Sequence, residues 1–330
     1  MDTDTGGTCR SDRGVSTVHR LEFDVSWPPR NVAAYVVDGP EPILIDAGTP
    51  TETGESELEA SLERGGYALA DVDHVLVTHP HSDHLGQAST LREAGATIHA
   101  PAAALERLER DPETVRSTVR ETAVEVGYRG DDVDGIVDDA LESFRRDRRL
   151  LDPDATRPIE ANATFSVGDR QFRSLETPGH EITHLSFETV LEGESALFAG
   201  DALIKPFRAG AFHVGIDHGA GEAIDQYYDA MDRLLETTAT RVFPGHGPTF
   251  EDPHRIVGLT RKRLDRLLEE TRAALAEIEP ATALSVAEER AGSSRYLAPV
   301  LDTIGALGTL ERRGVVTSER EGGVRYYRIE

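Results

Sequence analysis

The 330-residue chain contains a single cysteine, Cys9, which lies in a polar N-terminal segment. One cysteine excludes a disulfide within the chain, so a metal site would have to use nitrogen and oxygen ligands. The sequence also lacks any apolar run near the roughly 20 residues of a membrane span, and its first residues lack the apolar core of a signal peptide. These absences predict a protein of the reducing cytoplasm that does not enter a membrane.

Basic charge is scarce too, because 35 Lys and Arg residues stand against 60 Asp and Glu residues, for a net charge of −25. The only lysines are Lys205 and Lys262. This balance keeps a protein soluble and repels the phosphates of nucleic acids. Carboxylates spread along the whole chain, with arginine in place of lysine, resemble the proteins of extreme halophiles, in which carboxylates hold water and cations. We therefore predict a halophilic, haloarchaeal source, and GC-rich codon usage is the alternative explanation.

The length favours one large domain with an appendage, and the hydrophobic pattern changes character along the chain. Short β-type runs alternate with helical stretches from Leu21 onwards. Strands that imply two sheets, alternating with helices, favour an αββα sandwich of the α/β class over a doubly wound parallel sheet. The predicted parts are a disordered tail at 1–18, an αββα domain at 19–255 with a helical insertion at 101–150, a linker helix at 256–280 and a winged-helix domain at 281–330.

Helix, helix, hairpin is the order of elements predicted for residues 281–330, and this is the winged-helix order. The sequence Ser285-Val286-Ala287-Glu288 matches a capping box that begins one helix, Leu297 to Arg313 gives a longer helix, and Val315 to Arg328 gives a hairpin. The segment carries seven acidic and seven basic side chains, whereas a nucleic-acid-binding surface normally shows a basic excess. We therefore expect it to serve in packing or in a homodimer rather than on DNA or RNA.

A cluster of possible metal ligands follows an apolar strand, in the segment His79-Pro80-His81-Ser82-Asp83-His84. A loop leaving a strand can turn all of these side chains inward, and surface histidines would rarely fall into this spacing. Further candidates each follow another apolar strand with a glycine beside them, which lets the backbone approach a crowded centre. Imidazole and carboxylate ligands suit Zn, Fe or Mn. The candidate metal ligands are His79, His81, Asp83, His84, His180, Asp201 and His246.

Together these residues resemble the motifs of the metallo-β-lactamase superfamily, namely HxHxDH, a later histidine, an aspartate and a final histidine, over roughly residues 20–255. The resemblance implies the αββα fold and two divalent metal ions, zinc in the first place, with Fe and Mn as alternatives. It implies that a hydroxide shared by the two metals attacks a carbonyl or phosphoryl group. One metal would be held by His79, His81 and His180, the other by Asp83, His84 and His246, with Asp201 bridging them and Asp83 and Asp201 serving in catalysis.

Further residues are predicted around this centre. Asp46 matches the superfamily's early aspartate at a strand end, which orients a ligand histidine by a hydrogen bond. His184 occupies the second histidine of the GHxxxH pattern of glyoxalase II-like members, and we expect it to support the ligands rather than to bind metal. His213 and Lys205, after the predicted bridging aspartate, are candidate substrate-binding residues, and Arg208 is placed to receive an anionic substrate.

The same metal site serves thioester, lactone, phosphodiester and β-lactam hydrolysis as well as persulfide oxidation, so its surroundings must select the reaction. The insertion at 101–150 can cover the metals, and a covered pocket favours a small organic substrate. Tyr128 and Phe144 suggest an apolar wall for it, although packing among the helices is the commoner explanation of such aromatic residues. We therefore predict a hydrolase of a small ester or thioester that resembles hydroxyacylglutathione hydrolase. A single-strand-selective endoribonuclease and a metal-sensing DNA-binding regulator are the alternatives, and both depend on the winged-helix prediction.

Overall fold

The computed structural model describes residues 18–292 and 297–330. Most of the predicted disordered tail, including Cys9, therefore lies outside the described residues. Its last residue is an exception, because Val18 pairs with Val37 as the first residue of a strand. The predicted boundary of the tail was thus one residue too late, since pairing with an apolar neighbouring strand extends the sheet into the polar segment.

The first sheet contains six strands that follow one another in sequence order. These strands are β1 (Val18–Asp24), β2 (Asn31–Val37), β3 (Ile43–Ile45), β4 (His74–Leu76), β5 (Thr97–Pro101) and β6 (Arg157–Ile159). Neighbours from β1 to β3 are antiparallel, whereas those from β3 to β6 are parallel. Alternate residues of β2 enter different apolar clusters, Val32 and Val36 beneath helices and Tyr35 and Val37 between the sheets. A strand covered on both faces is apolar at nearly every position, as β2 is.

The second sheet also contains six strands. In their spatial order they are β12 (Phe250–Glu251), β11 (Arg241–Pro244), β10 (Glu194–Gly200), β9 (Leu185–Leu191), β8 (Arg170–Glu176) and β7 (Thr164–Val167). The central strand β10 pairs in parallel with β11 and antiparallel with β9. Phe172, Phe187, Phe198 and Phe243 of this sheet share one buried cluster with Tyr35 of the first sheet. Aromatic side chains therefore fill the space between the two sheets.

The described residues form ten α-helices, which cover the outer faces of the sheets. They are α1 (Glu52–Gly65), α2 (Ser82–Leu85), α3 (Ala88–Glu93), α4 (Ala102–Leu108), α5 (Pro112–Val126), α6 (Asp131–Leu151), α7 (Ala223–Leu234), α8 (Pro253–Ile278), α9 (Ala283–Ala291) and α10 (Leu297–Arg312). Leu58 and Leu85 pack on the first sheet, and Tyr227 and Leu264 on the second. This order of layers confirms the predicted αββα sandwich. None of the helices in the described ranges has the length and apolar character of a membrane span.

Helices α4, α5 and α6 lie between β5 and β6, in the stretch predicted as a helical insertion. Asp111 caps α5 as predicted, because its carboxylate accepts a hydrogen bond from Thr114 N at 3.3 Å and Pro112 opens the helix. Helix α6 reaches across the molecule: Leu151 is buried against the first sheet and Val137 in the cluster that covers the second. The insertion therefore joins the two helical layers.

The C-terminal hairpin consists of β13 (Val316–Glu321) and β14 (Val324–Ile329) and turns at Gly322-Gly323 as predicted. The predicted helix start at Ser285 is wrong, because α9 is capped by Thr282, whose Oγ1 accepts a hydrogen bond from Ser285 N at 3.2 Å. The physical reason is a pairing of Ala281 with Tyr327 of the hairpin, which keeps the chain extended up to the cap. Ser285 lies inside the first helical turn.

Helix α7 and the short strands β6 and β12 were not predicted. Strands of three and two residues give no periodic signal. Helix α7 does give one, because its apolar residues recur at the spacing of one helical face. The buried residues of this face are Ala223, Ile224, Tyr227, Ala230, Met231 and Leu234.

Helix α10 packs into the apolar cluster that covers the second sheet, where Val300 and Leu307 are buried together with Ile224 of α7. At Gly308 the helix lies close to the backbone of the preceding chain. A Cβ atom on Gly308 would lie 2.2 Å from the carbonyl oxygen of Gly221. Only a residue without a side chain allows this contact, so the sequence fits α10 closely against the residues before α7.

We expect Gly308→Ala to lower the free energy of unfolding by about 1–3 kcal/mol or more, because backbone atoms would have to move to admit the methyl group. Gly258→Ala is the matched control: Gly258 is also helical, but a Cβ there meets nothing within 4 Å. This control should be neutral or stabilising by up to about 1 kcal/mol. Guanidinium unfolding followed by circular dichroism measures both, and equal midpoints for the two variants would contradict the described packing of α10.

Candidate metal centre

The predicted ligands lie where strands end, at one edge of the sandwich. Asp201 directly follows β10, His246 follows β11, and His180 follows β8. The first motif follows β4, but Asp83 and His84 belong to α2, so the motif is part loop and part helical turn rather than a loop throughout. The seven predicted ligands fall into groups whose donor atoms lie within 4.8 Å of one another.

The first group consists of His79, His81 and His180. His79 Nε2 and His180 Nε2 each lie 3.0 Å from His81 Nδ1. His79 and His180 are buried, whereas His81 is partly exposed, so the group opens to solvent on the side of His81.

The second group consists of Asp83, His84 and His246, in which Asp83 Oδ2 lies 3.5 Å from His246 Nε2 and 3.9 Å from His84 Nε2. Asp201 lies between the groups. Its Oδ2 is 3.3 Å from His180 Nε2 of the first group and 3.3 Å from His246 Nε2 of the second, and its Oδ1 is 3.5 Å from His84 Nε2. One carboxylate therefore faces both groups, which is the position that the superfamily resemblance implied for Asp201.

Hydrogen bonds on the outer side of the rings set which nitrogen of each histidine carries the proton. His180 Nδ1 lies 2.7 Å from the carbonyl oxygen of Gly210, and His246 Nδ1 lies 2.6 Å from that of Asn31. A carbonyl oxygen can only accept, so Nδ1 donates in both rings. The neutral ring then carries a lone pair on Nε2, which points into the centre as a metal ligand requires.

Asp46 orients two further ligands, one directly and one through Thr78. His84 Nδ1 lies 2.9 Å from Asp46 Oδ2. Thr78 donates its backbone N–H and its hydroxyl to the Asp46 carboxylate at 2.8 and 3.0 Å, so the hydroxyl oxygen is free to accept from His79 Nδ1 at 2.9 Å. The geometry thus gives Asp46 the orienting position predicted for it. Thr78 was not predicted, because a threonine before a histidine has no distinctive sequence signal.

The buried charges favour the ligand forms of His79, His81 and Asp201. Burial, together with the neighbouring imidazoles, lowers the pKa of His79 and His81 well below its usual value, so both are neutral. Burial alone would raise the pKa of Asp201, but His246, His84 and His180 hold it well below the usual range. Burial likewise opposes the charge on His84, yet Asp201, Asp83 and Asp46 raise its pKa to about 10. The three carboxylates around His84 therefore favour a positive charge at this position, either a proton on the ring or a metal cation.

These contacts fit a bound cation. A single proton on His81 Nδ1 cannot satisfy two nitrogen lone pairs that both lie 3.0 Å away. His84 Nε2 and Asp201 Oδ1 are buried without a hydrogen-bond partner among the described residues. Buried polar atoms without partners are costly, and a divalent cation among nitrogen and carboxylate donors would satisfy them together. The donor set thus suits the metal that the resemblance implies.

Comparison with known proteins agrees with this geometry. The family model described as "Metallo-beta-lactamase superfamily" matches residues 27–246, which is most of the chain. The chain belongs to this superfamily. It is 26% identical over 313 residues to the "Probable metallo-hydrolase YqjP" of Bacillus subtilis, covering 90% of this chain and 93% of that protein.

Two further relatives extend the comparison. A hydroxyacylglutathione hydrolase of Rhodopseudomonas palustris is 26% identical over 259 residues, covering 76% of this chain and 78% of that protein. A metallo-beta-lactamase family protein of Thermus thermophilus has the same fold, with a TM-score of 0.79, 22% identity, and coverage of 95% of this chain and 98% of that chain. Membership in the superfamily makes this chain a metallo-hydrolase.

His184 lies behind the ligands of this superfamily centre. Its Nε2 accepts a hydrogen bond from the backbone N–H of Asp201 at 3.1 Å, so its Nδ1 carries the proton, 2.8 Å from Thr177 Oγ1. Burial lowers the pKa of His184 to about 3, which keeps it neutral and able to accept. The ring thus supports Asp201 from outside the ligand groups, where it was predicted.

The predicted substrate contacts are placed differently. His213 is buried, its backbone N–H donates to the His180 carbonyl at 2.6 Å, and its ring nitrogens have no hydrogen-bond partner among the described residues. Lys205 is exposed, and within residues 18–292 and 297–330 no hydrogen bond or ion pair joins its side chain to the ligands. Arg208 forms an ion pair of 2.7 Å with Asp302 of α10, because the C-terminal helices pack onto this loop.

Aromatic residues near the ligands come from the loop after Asp201 rather than from the insertion. The Phe212 ring centroid lies 5.7 Å from that of His81 and 5.5 Å from that of His180. Tyr128 and Phe144 pack among helices instead, so the prediction that they form the pocket wall is not supported by their contacts. Phe212 was missed because its place beside the first motif depends on contacts between distant parts of the chain.

We expect Thr78→Val to weaken metal binding by about 10–100-fold, because the orienting hydrogen bond to His79 would be lost while the shape of the side chain is kept. Thr189→Val is the control, since Thr189 is also a buried threonine but donates to the Gln171 carbonyl, away from the ligands. Competition with a fluorescent zinc chelator measures both affinities. Equal losses in the two variants would contradict the orienting role of Thr78.

Proposed function

We propose that this metallo-hydrolase holds two divalent metal ions, preferably zinc, and hydrolyses small esters or thioesters in the manner of hydroxyacylglutathione hydrolase. The observation that carries the proposal is the pair of ligand groups that share Asp201. Nitrogen and carboxylate donors suit zinc, and also Fe or Mn. The similarity to a bacterial hydroxyacylglutathione hydrolase supports the choice of a glyoxalase II-like branch.

The exposure of the candidate ligands indicates the side from which a substrate reaches the centre. Bound metals of this kind supply an acidified water and polarise a carbonyl oxygen. Asp83 and His81 are the ligand residues that are only partly buried, so the substrate approaches from their side. Asp83 is therefore the carboxylate of the candidate ligand set that lies beside the reacting carbonyl, and Asp201, which its histidine neighbours keep ionised, lies deeper between the two groups. Phe212 limits the width of the approach over His81 and His180.

The neighbourhood of Asp83 supports a small substrate. Helix α6 of the insertion packs against α2, which carries Asp83. Burial, with a contribution from the negative charge of Asp83, raises the pKa of Asp147 on α6 to about 6. A second carboxyl and a helix thus lie beside the open side of the centre. A covered approach suits a small organic molecule better than a polymer.

The regulator alternative is weakened by the surroundings of α10, which would be the DNA-reading helix of a winged helix. Residues 303–310 of α10 are all buried. Basic side chains of the C-terminal segment pair with the chain's own carboxylates, as in Arg312 with Asp225 and in Arg320 and Arg325 with Glu125. These contacts favour packing within the chain over nucleic-acid binding, and the endoribonuclease alternative loses the same support. A winged-helix ancestry of the segment, a homodimer, a cytoplasmic location and a halophilic source remain predictions.

A substrate panel tests the proposed reaction. The zinc-loaded protein should hydrolyse acyl thioesters, Asp83→Asn should lower kcat by about 100-fold or more, and removal of metal by a chelator should abolish turnover. Thioesters, lactones and single-stranded RNA are compared at low and high salt by release of thiol, acid or fragments. Cleavage of RNA with no turnover of any ester or thioester would overturn the proposal in favour of the nuclease.

Metal content tests the two-metal part separately. We expect about two equivalents of metal per chain in the unaltered protein and about one in His81→Ala, which removes a donor from the first group only. His218→Ala is the control, because His218 is exposed and pairs with Glu121 at 3.3 Å. Elemental analysis after dialysis gives the numbers. About one equivalent in the unaltered protein would contradict a two-metal centre, and an unchanged content in His81→Ala would contradict the place of His81 in the first group.

A further inference from the structure

A cavity of about 290 Å³ lies between residues 206–208, which follow the metal centre, and the helices α8, α9 and α10. Ligand sites commonly measure roughly 300–1,000 Å³, so this cavity has the size of a subsite for one part of a ligand. Its charged lining is unusual for a chain with 60 acidic and 35 basic residues, because arginine predominates. The charged lining residues are Arg208, Arg263, Arg266, Arg290, Glu270 and Asp302.

Helix α8 brings much of this charge to one side. Arg263, Arg266 and Glu270 are spaced by three and four residues, so they lie on one helical face. Arg272 lies nine residues after Arg263, which at 3.6 residues per turn is about half a turn away, and it is exposed outside the cavity lining.

Both carboxylates of the lining already have an arginine partner. Asp302 binds Arg208 at 2.7 Å and also accepts from the backbone N–H of Ala211 at 2.8 Å. Glu270 binds Arg266 Nε at 2.7 Å. Arg263 and Arg290, the other two arginines of the lining, therefore form no ion pair with either carboxylate.

Arg263 and Arg290 are bonded only to neutral groups among the described residues. Arg263 Nη2 donates to the carbonyls of Lys205 and Pro206, at 3.3 and 3.1 Å, and Arg263 Nη1 is buried without a partner. Arg290 donates to Pro299 O at 3.0 Å and to Thr303 Oγ1 at 3.2 Å. Burial and then the charge of Arg208 lower the pKa of Arg263, which indicates that the cations repel one another. The lining thus holds four arginines and two carboxylates, an excess of two positive charges.

The cavity adjoins the metal centre through Phe207, which lines it. The Phe207 ring centroid lies 6.5 Å from that of the ligand His246. On the inner side, Arg208 lies over the Tyr227 ring at 5.7 Å, and Tyr227 Oη is 3.4 Å from the Asp201 carbonyl oxygen. One aromatic ring, Phe207, therefore lies between the candidate ligand His246 and the arginines, and this is the stretch that a substrate bound at the metals would have to span.

We propose that this arginine cavity binds phosphate groups on the leaving-group side of the substrate, so that the preferred substrates are thioesters of a phosphorylated thiol. The inference rests on the proposed esterase or thioesterase function. Guanidinium groups bind phosphate through paired hydrogen bonds, and two unmatched cations suit a doubly charged phosphate better than one carboxylate. The cavity supplies binding only, and the acyl–sulfur bond is cleaved at the metal centre by water, which gives the acid and the free thiol.

The test compares one acyl group on three thiols: coenzyme A, which carries phosphates, glutathione, which carries carboxylates, and N-acetylcysteamine, which carries no charge. We expect kcat/KM to favour the coenzyme A thioester over the neutral one by about tenfold or more, the effect of one charge-assisted hydrogen bond. The double variant Arg263→Gln/Arg290→Gln, which removes the two cations without a carboxylate partner among the described residues, should bring this ratio to about one, mainly through KM. Arg272→Gln on the opposite face of α8 should keep the ratio of the unaltered protein.

Binding of desulfo-coenzyme A to the metal-loaded protein, followed by calorimetry, gives a readout that needs no turnover. We expect binding by the unaltered protein and Arg272→Gln and at least about tenfold weaker binding by the double variant. Hydrolysis of all thioesters at similar rates, or a preference for the glutathione thioester, would overturn the phosphate site and leave the proposed function standing. Binding of desulfo-coenzyme A with this dependence on the arginines, but no hydrolysis of any thioester, would uphold the site and overturn the proposed function.

Discussion

The rest of this molecule depends on one constraint: ring nitrogens of several histidines must be held close together although their lone pairs face one another. His79 and His180 both direct Nε2 at His81 Nδ1 from 3.0 Å, and Asp201 Oδ1 has no partner among the described residues. Each unsatisfied buried group costs about 1–3 kcal/mol. The surrounding structure must therefore hold these groups in place, and a bound cation would recover that cost.

Those surroundings reach as far as the C-terminal helices. His180 Nδ1 donates to the Gly210 carbonyl, and the next residue, Ala211, donates its N–H to Asp302 of α10 at 2.8 Å. Arg208 on the same loop binds the other oxygen of that carboxylate. A metal ligand and a C-terminal helix are thus two hydrogen bonds apart. The segment predicted as a winged helix has a structural reason to be present without any nucleic acid.

The sequence alone locates the residues that the fold brings together into possible metal-holding groups, because each follows a strand and the HxHxDH motif is local. Asp46 could be placed for the same reason. Thr78, Phe212 and α7 could not be assigned to the centre in this way, since their roles come from contacts between parts of the chain far apart in sequence. Ser285 shows the opposite failure: it satisfies a local capping pattern, but the pairing of Ala281 with the hairpin moves the cap to Thr282.

Contacts between distant parts of the chain also explain why the balanced charge of the C-terminal region says little about its surface. Counting seven acidic and seven basic residues over 281–330 treats them as one surface, yet Arg312 pairs with Asp225 of α7, and Arg320 and Arg325 share Glu125 of α5. Arg290 of this region lines the same cavity as Arg263 of α8, beside the metal centre, and the two carboxylates of that lining pair with other arginines. The net charge of the chain is strongly negative, so this local excess of arginines arises from the packing of separate elements and could not be read from the composition. It lies where the proposed phosphate end of the substrate would be held.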